Sequence, residues 1–215
     1  MARKPASAPS DRPLKTSAEK AANQRLDAFP DRIDLRDWFY QPALMSLPDA
    51  YLACPLIPRS QILNQGQEGA CTGFALAAVV NFLRTLQGHT TQVSPRMLYE
   101  LARRYDEWPG QDYDGSSARG AIKAWAKHGV CAERSWIHTQ QGIQHMTDQV
   151  IAEAKLAPGG AYYRIRPYNV RDMHTALNET GILYATLMVH SGWARPGEDK
   201  GHTVDVHVEG RKAPY

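Results

Sequence analysis

The chain has 215 residues, enough for one ordinary domain or two small lobes with a real core, and its 43% hydrophobic and 22% charged content is that of a globular protein. The net charge of +3 sits in the first thirty residues, where six Lys or Arg face three Asp or Glu, while residues 31–215 carry nineteen of each. A neutral body without a basic run argues against a nucleic-acid partner, and the lack of any apolar run of about 18 residues argues against a spanning helix.

Residues 1–28 are rich in Ala, Ser, Pro and Lys and lack apolar periodicity, which predicts a disordered basic tail with at most a short helix near 16–26. No apolar stretch with a cleavage site follows the basic residues, so no secretory signal is read and the expected location is cytoplasmic. Order is expected from Phe29-Pro30-Asp31 onward. Pro42, Pro48, Pro55 and Pro58 then impose an irregular, extended path.

Three helices follow. The first, 71–86, is apolar on nearly every side and is expected to be buried, with Gly88 as its stop. The second opens with Ser94 as N-cap and Pro95 in the first turn, and carries Met97, Leu98, Leu101 and Tyr105 on one face. The third opens at Ser116 or Ser117, turns Ile122, Trp125 and Ala126 inward, and ends at Gly129. Beyond residue 155 the pattern changes. Residues 162–166 read as a strand, 169–179 as a short helix, 181–190 as a buried strand, and the alternation of Val204, Val206 and Val208 with charged residues as a half-exposed strand. The expected class is α+β, with a helical lobe over 29–150 and a β-rich lobe over 151–215.

Chemistry concentrates at Cys71. A cysteine opening a helix meets unpaired N–H groups and the positive end of the helix dipole, which stabilise a thiolate. Gly66 and Gly69 let the preceding backbone turn tightly. Gln65, six residues upstream, lies where a loop can fold its amide back, so that its NH₂ and the Cys71 N–H would donate to a developing oxyanion. The plainer reading of such a cysteine is a small core residue. Gly69-Ala70-Cys71-Thr72-Gly73 also matches the G-x-C-x-G nucleophile elbow, but an elbow needs a hydrophobic strand just before it, and Asn64-Gln65-Gly66-Gln67-Glu68 is not one. Glu68 reads as a solvated loop carboxylate, with a local electrostatic role as the other possibility.

The segment Asn64-Gln65-Gly66-x-x-Gly69-x-Cys71-x-x-Phe74-Ala75 resembles the active-site signature of papain-like cysteine peptidases. Asp34-Leu35-Arg36 is similar to the D-W-R that begins the mature enzymes, and Val93-Ser94-Pro95-Arg96-Met97-Leu98 to the start of the family's next helix. Asp114-Gly115-Ser116-Ser117, Gly129-Val130-Cys131 and the stretch 162–189 resemble, more diffusely, its Gly-rich turn, its "Y-G-V" exit and the opening of its β lobe. The resemblance implies a papain-like fold, a helical left lobe and an antiparallel β-rich right lobe with the cleft between them. It implies Cys71 as nucleophile, Gln65 as oxyanion donor, and a peptide or protein as substrate. Glu68 stands where many secreted members carry a disulfide cysteine, which agrees with a cytosolic, bridge-free form; Ala70-Cys71-Thr72-Gly73, with Thr72 for the usual tryptophan, and the 33 residues before Asp34, short for the usual propeptide, resemble bacterial members.

A thiolate of this kind needs a histidine to form the ion pair and to protonate the leaving amine. His202 lies 131 residues after Cys71, and Gly201-His202-Thr203-Val204 resembles the family's G-H-A-V. Against it, Asp205, His207 and Glu209 charge a strand that the family keeps apolar, and no asparagine follows Asn178 to orient the ring. Residues 202–215 therefore also read as an exposed insert after Trp193, with the family's histidine beyond Tyr215, or as part of a binding module without a base. An acyltransferase or deamidase would use the same residues as a peptidase. The other histidines show no metal-binding spacing, so no metal and no cofactor is expected; His128, at a helix C-terminus, suits a solvated imidazolium, and His190 a structural role. Three cysteines, Cys54, Cys71 and Cys131, leave at least one free thiol and favour a reducing compartment, with a Cys54–Cys131 bridge left open.

Overall fold

The computed structural model describes residues 27–32, 34–43, 46–49, 62–106 and 114–189. Those from 27 to 187 belong to one compact unit, Arg25–Leu187. Its elements are β1 (Ala28–Phe29), α1 (Cys71–Leu86), α2 (Pro95–Arg104), β2 (Ser116–Ser117), α3 (Ala118–His128), α4 (Asp148–Ala154) and α5 (Val170–Thr180), with a 3₁₀ turn at Ile143–His145.

Helix α2 is the centre of the unit and packs on both α1 and α3. Ser94 caps it, its Oγ accepting from the Met97 N–H at 3.1 Å while donating to the Trp136 carbonyl at 2.6 Å. Pro95 occupies the first turn, where a missing N–H costs nothing. Met97, Leu98, Leu101 and Ala102 are fully buried, and Leu76, Val80, Ala121, Ala124, Val130 and Trp136 complete the same core. Each fully buried Leu or Val contributes roughly 1.5–3 kcal/mol relative to exposure. Gly73 sets the α1–α2 spacing, since a Cβ there would stand 2.6 Å from the Tyr99 main-chain nitrogen.

Helix α3 is capped by Ser117, whose Oγ accepts from the Gly120 N–H at 3.1 Å, and ends at Gly129 with φ +70. Its Arg119 is buried among three carboxylates spaced three residues apart. The Arg119 N–H donates to Asp31 at 2.9 Å, and its guanidinium pairs with Asp37 and reaches Asp34 at 3.4 Å. The Arg36 guanidinium and N–H, each bonded to Asp34, hold that carboxyl below the usual range. These contacts fasten the residues before α1 onto α3.

Helix α1 starts and ends where the apolar run predicts, but it is one-sided. Thr72, Gly73, Phe74, Leu76, Ala77 and Val80 are buried, while Ala75, Ala78 and Leu86 are exposed. Helix α5 also lies within one residue of its expected limits, capped by Asn169 accepting from Asp172 N–H at 3.1 Å and stopped by left-handed Gly181. Helix α4, capped by Thr147, was not anticipated.

The β content departs from expectation. The only sheet among the described residues is the parallel pair β1–β2, with Ala28 opposite Ser116 and Phe29 opposite Ser117. In place of a strand over 162–166 there is a single parallel bridge, Phe39 to Arg164. Residues 182–189 form no ladder, and Leu187 and Met188 are 68% and 92% exposed rather than buried. A strand is completed by its neighbours, and among the described residues this run has none. An antiparallel β-rich lobe is thus not present in the described part; the expected strand at 204–208 lies outside the described residues, as do Trp193, His190, His202 and Cys54.

Candidate active site

The loop before α1 is built from its own side chains. Asn64 Oδ1 accepts from the Gly66 N–H at 2.9 Å, and Gly66 takes the positive φ of +67 that a side chain would resist. At Gly69 a Cβ would meet the Asp114 backbone at 3.0 Å. The Gln65 side-chain amide donates to the Glu68 carbonyl at 2.9 Å, so one of its two protons is engaged within the loop.

Cys71 is the first residue of α1. Ala70 occupies the N-cap position and contributes no side-chain hydrogen bond, which leaves the first-turn N–H groups unclaimed by a cap. The sulfur is half-buried and carries a free thiol. Burial pushes the thiol up; the main-chain N–H groups of Asp27 and Thr72 pull it down, and the Asp27 carboxylate pushes it up again. Burial wins among these groups, contrary to the expectation that the helix terminus alone would favour a thiolate. Asp27 precedes β1, so the β1–β2 pairing is what brings the chain's own backbone against the sulfur.

Two further contacts were not legible beforehand. The Thr72 hydroxyl hydrogen-bonds the Ser116 hydroxyl, linking the residue after the nucleophile candidate to β2. The Tyr184 hydroxyl donates to the Thr72 carbonyl at 2.9 Å. Burial, with the nearby Cys71 and Asp31, drives the Tyr184 phenol well above its ordinary value and keeps it a donor. A tyrosine inside an apolar run is the available signal, because a buried phenol needs a polar partner.

Glu68 is not a solvated loop carboxylate. It forms an ion pair with Arg96, whose side chain is 3% exposed, and accepts from the Gln141 amide. The Arg96/Glu100 spacing on α2 was the readable hint of buried charge there. His128 is likewise corrected. Its Nε2 meets the Tyr105 hydroxyl at 2.7 Å, and burial together with Lys127 and Arg104 pushes its imidazole down, favouring the neutral ring. Cys131 is a buried free thiol held up to about 12 by burial and by Glu153. Of the three residues expected to act together, Gln65 and Cys71 flank one loop, and His202 lies outside the described residues. No group of side chains suited to a metal ion occurs among the described residues, and no helix among them is long and apolar enough to cross a membrane.

No protein-family model matches the chain, and no curated protein matches it. Among solved structures it is similar to xylellain, a cysteine protease from Xylella fastidiosa, with 26% identity and a TM-score of 0.60 over 72% of this chain and 63% of that one. A second similarity is to digestive procathepsin L 3 from the larval midgut of Tenebrio molitor, with 21% identity and a TM-score of 0.45 over 55% and 37%. The chain thus spans under two thirds of the length of xylellain. The helix-rich unit with its small sheet fits a papain-like α+β fold, the fold of a cysteine protease.

Proposed function

We propose that the chain is, or is part of, a papain-like cysteine peptidase of bacterial type, with Cys71, Gln65 and His202 as its acting residues and a β-rich lobe in 151–215. The observation that carries this reading is Cys71 at the uncapped start of α1, directly after the Gln65 loop, in a unit similar to a cysteine protease. The Cys71 sulfur attacks the carbonyl carbon of a peptide bond as the π electrons move to oxygen. The Gln65 NH₂ and the Cys71 N–H donate to that oxyanion. Collapse expels the amine, which takes its proton from the histidine, and water then hydrolyses the thioester. Because burial holds the Cys71 thiol up, the chemistry requires a cation beside it, and the imidazolium of His202 is the group assigned to that task.

A thiol-directed epoxide tests the reading. The full chain should be labelled at Cys71 at neutral pH, and His202→Ala should abolish labelling. Labelling that persists in His202→Ala would remove that residue from the mechanism, and no labelling at all would favour either a histidine beyond Tyr215 or a non-catalytic binding module. A peptide substrate followed by product mass spectrometry separates hydrolysis from acyl transfer or deamidation.

A further inference from the structure

The loop that carries Gln65 is held by one carboxylate with two partners. Glu68 Oε2 accepts from Arg96 Nη2 on α2, and Glu68 Oε1 accepts from the Gln141 amide, far away in sequence. Arg96 is in turn fully engaged. Its Nε donates to the His138 carbonyl at 2.7 Å, its Nη1 stands 3.5 Å from Glu100 Oε1, and its guanidinium lies 5.6 Å from the centre of the Tyr99 ring. Glu100 Oε1 also accepts from the Gly142 N–H at 2.8 Å, so α2, the 138–142 segment and the Gln65 loop share one network. A guanidinium this buried keeps its place only while its carboxylates stay. Glu68 is therefore held at both carboxylate oxygens, which restrains the residue whose main-chain carbonyl meets Gln65.

That carbonyl is the acceptor for Gln65 Nε2. A primary amide is planar, so when one N–H is aimed at the Glu68 carbonyl the directions open to the second are restricted as well. The second proton is the one an oxyanion would use. We infer that Arg96, Glu68 and Gln141 form a positioning network that sets the orientation of the Gln65 donor; none of them touches the reacting atoms. The inference rests on the proposed acyl-transfer role of Cys71 and Gln65.

The network predicts coupling that a merely structural ion pair would not produce. Gln65→Ala should lower acylation by a peptide substrate about 10²–10³-fold, the usual effect of losing an oxyanion donor. Glu68→Ala should lower kcat about tenfold or more with KM little changed, a misplacement effect. Alkylation of Cys71 by iodoacetamide, which passes through no oxyanion, should stay as in the wild type. Added to Gln65→Ala, Glu68→Ala should cost nothing further, because its effect passes through the missing amide. Should Glu68→Ala destabilise the fold, Gln141→Ala, at an exposed site, reads the same coupling. Equal losses from Glu68→Ala or Gln141→Ala with and without Gln65 would overturn the network while leaving the peptidase reading intact. Absence of any Cys71-dependent acylation in the wild type would overturn the peptidase reading, and with it the role given to Gln65. A readout free of activity is the side-chain NH₂ pair of Gln65 in ¹⁵N spectra: its two proton shifts should be well separated and should move toward free-amide values in Glu68→Ala. An unmoved pair would also overturn the network.

Discussion

Residues 94–106 and 114–132, taken together, and residues 182–189 are both rich in apolar side chains, yet only the first region buries many of them fully. In the first, Ser94, Pro95, Ser117 and Gly129 set helix limits locally, and its two helices, α2 and α3, close on each other and on α1. In the second the backbone forms neither helix nor ladder, its later side chains are open, and Tyr184 makes a contact through its hydroxyl to Thr72. A helix satisfies its own backbone groups, whereas an extended run depends on neighbours for both hydrogen bonds and burial.

Stability measurements can break this contrast. Leu98→Ala, at a fully buried position on α2, should cost about 2–5 kcal/mol in chemical denaturation, whereas Leu187→Ala should stay within about 0.5 kcal/mol. Comparable losses would mean that residues 182–189 are packed after all. Ser94→Ala removes both a cap and a buried bond to the Trp136 carbonyl and should cost about 1–3 kcal/mol. The smallest effect concerns pH. The folded state lowers the His128 value below that of the unfolded chain, so the unfolded chain binds the proton more readily. The associated stability is complete above about pH 6.5, the unfolded value, and declines as pH falls through the folded one. Thermal melts from pH 7.5 down to 5 should show this decline in the wild type, and His128→Gln should lessen it.

What could be read in advance follows the same division. The limits of α1 follow from its apolar run, the ends of α2 and α3 from a capping Ser, an early Pro and a terminal Gly, and α5 to within one residue from its short apolar pattern. Helix α4 offered only seven residues and a Thr147 cap, too short for periodicity to stand out. In the candidate site, the Gln65 and Cys71 segment was legible because its residues are consecutive. The Glu68 pairing with Arg96 and Gln141 was not, because the partners lie 28 and 73 positions away and exposure cannot be read from a charged residue alone. The neutral, bonded state of His128 is hidden for the same reason, its Tyr105 partner belonging to the end of another helix.

The parallel pairing of Ala28–Phe29 with Ser116–Ser117 means that a segment from before α1 fills the ladder positions of β2, the strand whose Ser116 hydroxyl bonds Thr72 next to Cys71. Any other segment can take those ladder positions only by displacing a stretch that the same chain already tethers there.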